Sequence, residues 1–382
     1  MRILPLLIIP FFLSCSDAPK APVSPKLNEI QLIGTHNSYH SGLGESELAL
    51  LRKRNPKAAD SLEYKHLPLA EQLAMGVRQF ELDVFEDSKG GLFADPAAPR
   101  MVAQAGLRAD PPVDPEGVLK KPGFKVIHVQ DIDYRSSCQP LVNCLSILRD
   151  WSKENPGHLP IFVLIENKDG KPEESGYVTP EPVTEATLDA LDAEIKSVFP
   201  PEQLLTPDNV RGAFPSLEAA VTRRGWPTVD AARGKFIFLL DQERVTPLYT
   251  MGRSALEGRV MFTNGLPGTP DAAFVKVNDP VGRGEEIRDL VKKGYLVRTM
   301  TDGGVEAVRK NDTAQRDAAM ASGAQLLSTD YPFTYKHPKS GYSVGFEKGI
   351  ARCNPVSAKP GCSETVLAET AAPGAGQSRA AD

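Results

Sequence analysis

Short apolar segments alternate with amphipathic segments along most of the chain. Nine apolar runs have the length of a β-strand, at 30–35, 77–84, 125–129, 160–166, 235–240, 259–263, 273–277, 295–299 and 324–328. Apolar residues recur at helical spacing between several of them, in 67–75, 141–151, 183–198, 284–293 and 313–322. This alternation predicts a mainly parallel sheet, and eight strand–helix units close into a TIM-type (β/α)₈ barrel. One run is then surplus, and we expect 259–263 and 273–277 to compete for one place.

Three connections are too long to be ordinary loops. They are polar or rich in proline and glycine, and they span 40–66, 86–124 and 169–180. We expect them to follow strands 1, 2 and 4. In a barrel these loops lie at the C-terminal rim of the strands, where active sites form. The pattern therefore predicts a catalytic rim that is covered by long loops.

Both ends of the chain differ from the predicted barrel at 28–340. The segment MRILPLLIIPFFLSC has one charge and an apolar stretch too short to span a bilayer, which is typical of a signal peptide. Its Ser-Cys end resembles a bacterial lipoprotein signal, so we expect cleavage of 1–14, lipidation of Cys15 and a Pro-rich tether over 15–27. Residues 341–382 are predicted to be an extension that ends in a disordered tail from 364. An anchored protein of the bacterial cell envelope, periplasmic or at the surface, is expected; without use of the lipid signal it would be secreted.

Composition narrows the class of protein. The chain has 382 residues, of which 41% are hydrophobic and 24% charged, so it can build a large core. Its formal net charge is −5 and it has no long Lys/Arg run, which gives little support to nucleic-acid binding. We expect a monomer.

The four remaining cysteines form two close pairs, Cys138 with Cys144 and Cys353 with Cys362. In an exported protein such pairs predict local disulfides. A metal site is the alternative, but the sequence has no CxxC motif and its histidines do not cluster with the cysteines.

Polar residues of a matching kind stand near the ends of four predicted strands. They are Thr35-His36-Asn37-Ser38, Glu81 with Asp83, His128, and Glu166 with Lys168. Side chains two apart on a strand share a face, so Glu81 and Asp83 point the same way. Since parallel strands end at one rim, all four groups are expected to converge.

Three crowded carboxylates, from Glu81, Asp83 and Glu166, would repel one another strongly. A divalent cation removes that repulsion, and the amide oxygen of Asn37 completes an all-oxygen set of ligands. Both Ca²⁺ and Mg²⁺ fit. The mixture of carboxylates and an amide favours Ca²⁺, whereas Zn²⁺ would require more His or Cys.

Two histidines, His36 and His128, flank the predicted cation. One imidazole can take a proton while the other gives one, which suits cleavage of a phosphodiester by an internal hydroxyl. His66 is a spare candidate for the acid.

Several further residues are candidates for substrate binding. Lys168 and Arg298 can neutralise a phosphate, and Tyr331 can stack on a ring-shaped head group. Asp241 is a candidate for orienting a base or Lys168. The basic group Arg52, Lys53, Arg54 and Lys57 is interpreted as a solvated helix face.

The motifs THNS, ELD, an isolated His and LIEN, in this order, resemble those of the calcium-dependent phosphatidylinositol-specific phospholipase C family, a branch of the barrel phosphodiesterases. The resemblance covers 30–168 and LLSTDYP at 326–332, whereas about 170–290 is unmatched. It implies that His36 is the general base and His128 the general acid. The implied calcium ligands are Asn37, Glu81, Asp83 and Glu166. It also implies attack by the inositol 2-hydroxyl, with release of diacylglycerol and inositol 1,2-cyclic phosphate. The expected substrate is a phosphodiester, either a phospholipid at the membrane or a soluble molecule.

Two alternatives stay open. Glycerophosphodiester phosphodiesterases share the barrel and the paired carboxylates, but they typically carry Arg where this chain has Asn37. A non-catalytic binding lipoprotein on a decayed barrel is the other alternative. The intact set of two histidines and three carboxylates argues against decay.

Overall fold

The computed structural model describes residues 24–172, 176–333 and 335–369. The strands within those ranges are β1 Ile30–Thr35, β2 Gln79–Phe85, β3 Lys125–Val126, β4 Ile161–Asn167, β5 Phe236–Leu240, β6 Met261–Thr263, β7 Phe274–Lys276, β8 Leu296–Met300, β9 Leu326–Thr329 and β10 Ala351–Cys353.

Eight of these strands form one parallel sheet in the order β6-β5-β4-β2-β1-β9-β8-β7. Its two outer strands, β6 and β7, approach through a single bridge between Asn264 and Phe274. The amide N–H of Lys276 also donates to Oδ1 of Asn264 at 2.9 Å. The sheet is therefore a nearly closed barrel, and the prediction of a TIM-type (β/α)₈ fold is confirmed.

Helices lie between most of the strands. They are α1 Glu45–Arg54, α2 Pro56–Ser61, α3 Leu69–Ala74, α4 Ala97–Gln104, α5 Leu141–Glu154, α6 Glu185–Val198, α7 Pro207–Arg211, α8 Leu217–Arg223, α9 Val229–Ala232, α10 Thr246–Tyr249, α11 Gly284–Lys293, α12 Val305–Arg309 and α13 Ala314–Ser322. Short 3₁₀ helices occur at Leu27–Glu29, Val118–Lys120, Pro201–Gln203, Glu243–Val245 and Glu364–Leu367. All five helices predicted from apolar spacing are present. Within the described ranges no helix is long and apolar enough to cross a membrane.

The surplus strand is 125–129, so the expected competition between 259–263 and 273–277 was wrong: both are barrel strands. β3 instead pairs antiparallel with the end of β2. Its apolar neighbour Ile127 packs with Phe85, Phe93 and Tyr134 in a separate small cluster under the long loop. The apolar run therefore serves the loop's own core. As a consequence, the 169–180 loop follows the third barrel strand.

Burial on both faces explains why the barrel strands read as continuous apolar runs. All five residues of Ile161–Ile165 in β4 are at most 1% exposed, because one face lines the barrel and the other packs on helices. Each such side chain stabilises the fold by roughly 1.5–3 kcal/mol relative to exposure. The barrel is thus rigid enough to hold polar side chains at its rim.

Both predicted disulfides, Cys138–Cys144 and Cys353–Cys362, are formed. The second staples the C-terminal extension next to β10, which pairs antiparallel with β1. The extension is therefore part of the barrel wall.

Residues at the inner edges of the predicted tether and tail contact the barrel. Pro25, assigned to the tether, accepts a backbone hydrogen bond from Val229. At the other end, Leu367 is buried and Glu369 pairs with the buried Arg78. The boundaries of the tether and of the disordered tail stay predictions. The signal peptide, Cys15 and the rest of the tail lie outside the described residues.

Candidate active site

The three predicted carboxylates meet at the C-terminal rim of the barrel. One carboxylate oxygen each from Glu81, Asp83 and Glu166 lies within 4.8 Å of the others. The cause is the strand register, since Asp83 of β2 pairs with Glu166 of β4 and Glu81 lies two residues earlier on the same face. The strand register therefore brings the three carboxylates together.

The carboxylates differ in what compensates their charge. Oε2 of Glu81 accepts from Nη2 of Arg298 at 2.5 Å, and Oδ2 of Asp83 accepts from Nζ of Lys168 at 2.8 Å. Glu166 receives no hydrogen bond from any residue in the described part of the chain. Burial, followed by the charge of Asp83, raises the pKa of Glu166 above its ordinary value. Glu166 is therefore the least compensated acid of the cluster.

Within the predicted ligand set, two buried oxygens have no hydrogen-bond partner among the described residues: Oδ1 of Asn37 and Oδ1 of Asp83. Leaving a buried acceptor unsatisfied is costly, and a hard cation would satisfy both. Asn37 follows β1 directly and has a φ of 46°, a left-handed conformation that asparagine tolerates. The candidate ligand atoms are all oxygens, which fits a cation of the Ca²⁺ or Mg²⁺ type.

His36 is held between two carboxylates. Its Nδ1 lies 2.9 Å from Oδ1 of Asp330, and its Nε2 lies 4.0 Å from Oε1 of Glu81. Burial lowers the pKa of His36, but the charges of Asp330 and Glu81 outweigh it and raise the pKa to about 9. The side chain is still 29% exposed, so a substrate can reach it.

Asp330 was not among the predicted site residues. It follows β9, which closes the barrel against β1, and 294 positions separate it from His36 along the chain. The backbone N–H of Asp330 donates to the buried Asp302 at 2.6 Å. The only sequence signal was the aspartate in LLSTD at the end of the last predicted strand.

A second imidazole–carboxylate pair lies at the rim. Nδ1 of His128 is 2.6 Å from Oδ2 of Asp133, and Nε2 of the buried His40 is 2.8 Å from Oδ1 of the same carboxylate. Burial raises the pKa of Asp133, but the two histidines outweigh it and lower the pKa to about 2. Asp133 therefore stays ionised and fixes both rings. Sequence analysis gave His40 no role.

The long loop after β1 covers this rim. Nε2 of His66 lies 2.7 Å from the backbone oxygen of His36, and burial lowers the pKa of His66 to about 4. This imidazole is neutral at ordinary pH and ties down backbone, which does not favour its role as the spare acid. Tyr64, next to it in the loop, lies over Asn37 and His40.

The three predicted substrate-binding residues differ from one another in exposure and in the partners that hold them. The side chain of Lys168 is 21% exposed beside Asp83, whereas Arg298 is buried and held by Glu81 and Ser328. The ring of Tyr331 packs edge-on against other rings of the final loop, at a centroid distance of 5.3 Å from His337. Its stacking on a head group stays a prediction.

Two other candidates have structural partners. Asp241 is buried and forms an ion pair with Lys276, not with Lys168. In the basic group, which is divided between α1 and α2, Arg52 pairs with Asp60 and Glu63, as a solvated helix face would.

Most of the chain matches the model of one protein family. Residues 26–355 match the family model described as Ca²⁺-dependent phosphoinositide phospholipase C. No curated protein matches the sequence.

Solved structures of similar fold carry related descriptions. A calcium-dependent phosphoinositol-specific phospholipase C from Pseudomonas sp, in its apo form, superposes with a TM-score of 0.54 at 16% identity, covering 88% of this chain and 97% of that one. A Ca²⁺-dependent phosphatidylinositol-specific phospholipase C from Streptomyces antibioticus superposes with a TM-score of 0.51 at 18% identity, covering 80% and 94%. At such identities these matches support the barrel fold.

Proposed function

Since the chain belongs to the Ca²⁺-dependent phosphoinositide phospholipase C family and is thus a phosphodiesterase, we propose that it cleaves phosphatidylinositol-type phosphodiesters with calcium. The proposed reaction begins with attack of the inositol 2-hydroxyl on phosphorus. It releases diacylglycerol and an inositol cyclic phosphate.

One observation carries this proposal: two imidazoles, each with Nδ1 held by its own aspartate, stand at the rim that holds the three carboxylates. An Nδ1–H donated to an aspartate leaves Nε2 free for proton transfer. His36, held by Asp330, takes the proton from the attacking hydroxyl. His128, held by Asp133, gives a proton to the leaving oxygen.

The carboxylate set tunes His36 for this role. Against the effect of burial, the charges of Asp330 and Glu81 raise the pKa of His36. A cation held by Glu81 would offset the charge of that carboxylate and lower the pKa of His36 towards the range in which an imidazole works as a base. Glu81, Asp83, Glu166 and Asn37 would hold the cation, which when bound stabilises negative charge on phosphorus and acidifies a hydroxyl.

We favour Ca²⁺ over Mg²⁺ because the set combines carboxylates from two strands with the amide of Asn37 on a covering loop. Ca²⁺ accepts variable, flexible coordination, whereas Mg²⁺ requires near-ideal octahedral geometry and retains its water. The family's dependence on calcium supports the same choice.

Phosphorus NMR tests the reaction directly. Mature protein is incubated with inositol, glycerol and choline phosphodiesters in the presence of calcium, magnesium or a chelator. We expect a cyclic phosphate from the inositol substrate with calcium and no product with chelator. Preferential cleavage of the glycerol diester would instead support the glycerophosphodiesterase alternative. No cleavage of any diester would contradict an enzymatic role and leave the binding lipoprotein.

We also propose that the protein is exported and anchored by lipid on Cys15, which follows the apolar stretch at the N-terminus. In a bacterial host, the wild-type protein is expected in the membrane fraction and to carry metabolically incorporated labelled fatty acid. Cys15→Ala should abolish the label, with Ser16→Ala in the predicted tether as the control that keeps it. An unlabelled wild-type protein would contradict lipidation.

A further inference from the structure

The loop between β1 and α3 returns across the rim immediately before α3. The backbone N–H of His66 donates to the carbonyl of His40 at 2.8 Å, and Nε2 of His66 lies 2.7 Å from the carbonyl oxygen of His36. These two bonds clamp the returning segment onto residues 36–40. Tyr64, only 8% exposed, is thereby pressed against the start of the loop.

Tyr64 contacts both halves of the rim. Its hydroxyl accepts a hydrogen bond from Nδ2 of Asn37 at 2.8 Å. Its ring stacks on His40, with a centroid distance of 4.3 Å and an interplanar angle of 27°. His40 in turn shares Asp133 with His128. One side chain therefore touches a candidate cation ligand and the network that orients the candidate acid.

The two polar atoms of the Asn37 amide, Nδ2 and Oδ1, differ in their contacts. Nδ2 is a donor and cannot bind a cation, whereas Oδ1 is buried and has no partner in the described part of the chain. Oδ1 can be presented to a cation only if Nδ2 has an acceptor on the opposite side. The Tyr64 hydroxyl is that acceptor.

We propose that Tyr64 is a positioning residue that presents the Asn37 amide oxygen to the cation and couples the covering loop to metal binding. The proposal rests on the proposed function, since it takes Asn37 as a cation ligand. It adds Tyr64, a side chain that is not itself a ligand, to the determinants of calcium affinity.

The energetic reason is the cost of a buried unpaired donor. In a Tyr64→Phe variant the ring still stacks on His40, but Nδ2 of Asn37 loses its acceptor. The metal-free amide can turn to find another partner, whereas the cation-bound amide cannot. The penalty therefore falls on the bound state and weakens calcium binding.

Calcium titration calorimetry on wild-type, Tyr64→Phe and Asn37→Ala proteins tests the proposal. We expect Tyr64→Phe to weaken calcium affinity about tenfold, the usual size for one buried unpaired donor, with Asn37→Ala weaker still. The calcium concentration that gives half-maximal turnover should rise by about the same factor in Tyr64→Phe, because the cation is held more weakly. The rise in Tm on adding calcium should shrink in parallel.

Tyr249→Phe is the matched control. The hydroxyl of Tyr249 is also buried, but it lies outside the carboxylate cluster, where it donates to Asp192 of α6 at 2.6 Å and accepts from the backbone N–H of Met261 at 2.9 Å. This variant should lose some thermal stability and keep wild-type calcium affinity. A purely structural role for Tyr64 would give the same pattern and would overturn the proposal.

The remaining outcomes separate the two proposals. If wild-type protein binds no calcium, the proposed function fails. If wild-type and Tyr64→Phe proteins bind calcium equally, the function stands and the role of Tyr64 is rejected. A kcat that falls with unchanged calcium affinity would likewise reject it.

Discussion

Replacing His36 by alanine is expected to lower kcat by about 10²–10⁴-fold, the usual contribution of a general base, with calcium affinity within about threefold of wild type. The imidazole is the group at the rim that Asp330 holds with Nε2 free and that remains open to substrate. It supplies no oxygen to the cation. Turnover of a soluble inositol phosphodiester and calcium calorimetry measure the two quantities separately.

A matched control is His337→Ala. This half-buried histidine accepts from Ser340 in the final loop, and we expect its replacement to leave kcat within severalfold. Asp330→Asn should give an intermediate loss, because the ring of His36 stays but its orienting charge is gone. A His36→Ala enzyme that retains substantial turnover would remove His36 from the role of base.

The strand pattern predicted the fold because barrel strands are buried on both faces. A run such as IFVLIEN, seven residues long and rich in β-branched and aromatic residues, favours a buried strand that delivers a carboxylate at its end. The spacing of Glu81 and Asp83 likewise fixes a common face before any register is known. These are local properties, so the sequence alone carries them.

Residues that act through long-range contacts could not be predicted in this way. Asp330 reaches His36 only because the last strand closes against the first, and Tyr64 reaches Asn37 only because a 27-residue loop folds back. The run at 125–129 misled for a related reason. Its apolar residues serve a small core under the 86–124 loop, and a short apolar run has the same pattern in either place.

Glu166→Gln is expected to stabilise the calcium-free protein and to weaken its binding of calcium. In chelator at neutral pH, the variant should be more stable than wild type, because it removes the least compensated charge of the cluster. With calcium, it should bind at least about tenfold more weakly, because one charged ligand is lost. Urea unfolding and calcium calorimetry measure the two effects.

The raised pKa of Glu166 determines how the free energy of unfolding changes with pH. Burial and Asp83 raise the folded-state pKa of Glu166 above its ordinary 4.5, so the folded protein binds this proton more tightly than the unfolded chain. In chelator, the wild-type free energy of unfolding therefore falls, relative to that of the variant, as pH rises from about 4.5 through the raised pKa. The advantage of the variant should vanish at acid pH, where Glu166 is protonated in both states.

Glu194→Gln is the control for the effect of replacing any buried glutamate by glutamine. Burial also raises the pKa of Glu194, but that side chain accepts from the backbone of Phe124, outside the carboxylate cluster. Its replacement should leave calcium affinity unchanged. A Glu166→Gln protein that matches this control in calcium binding would show that Glu166 crowds the rim without holding the cation, and Glu81, Asp83 and Asn37 would then have to hold it alone.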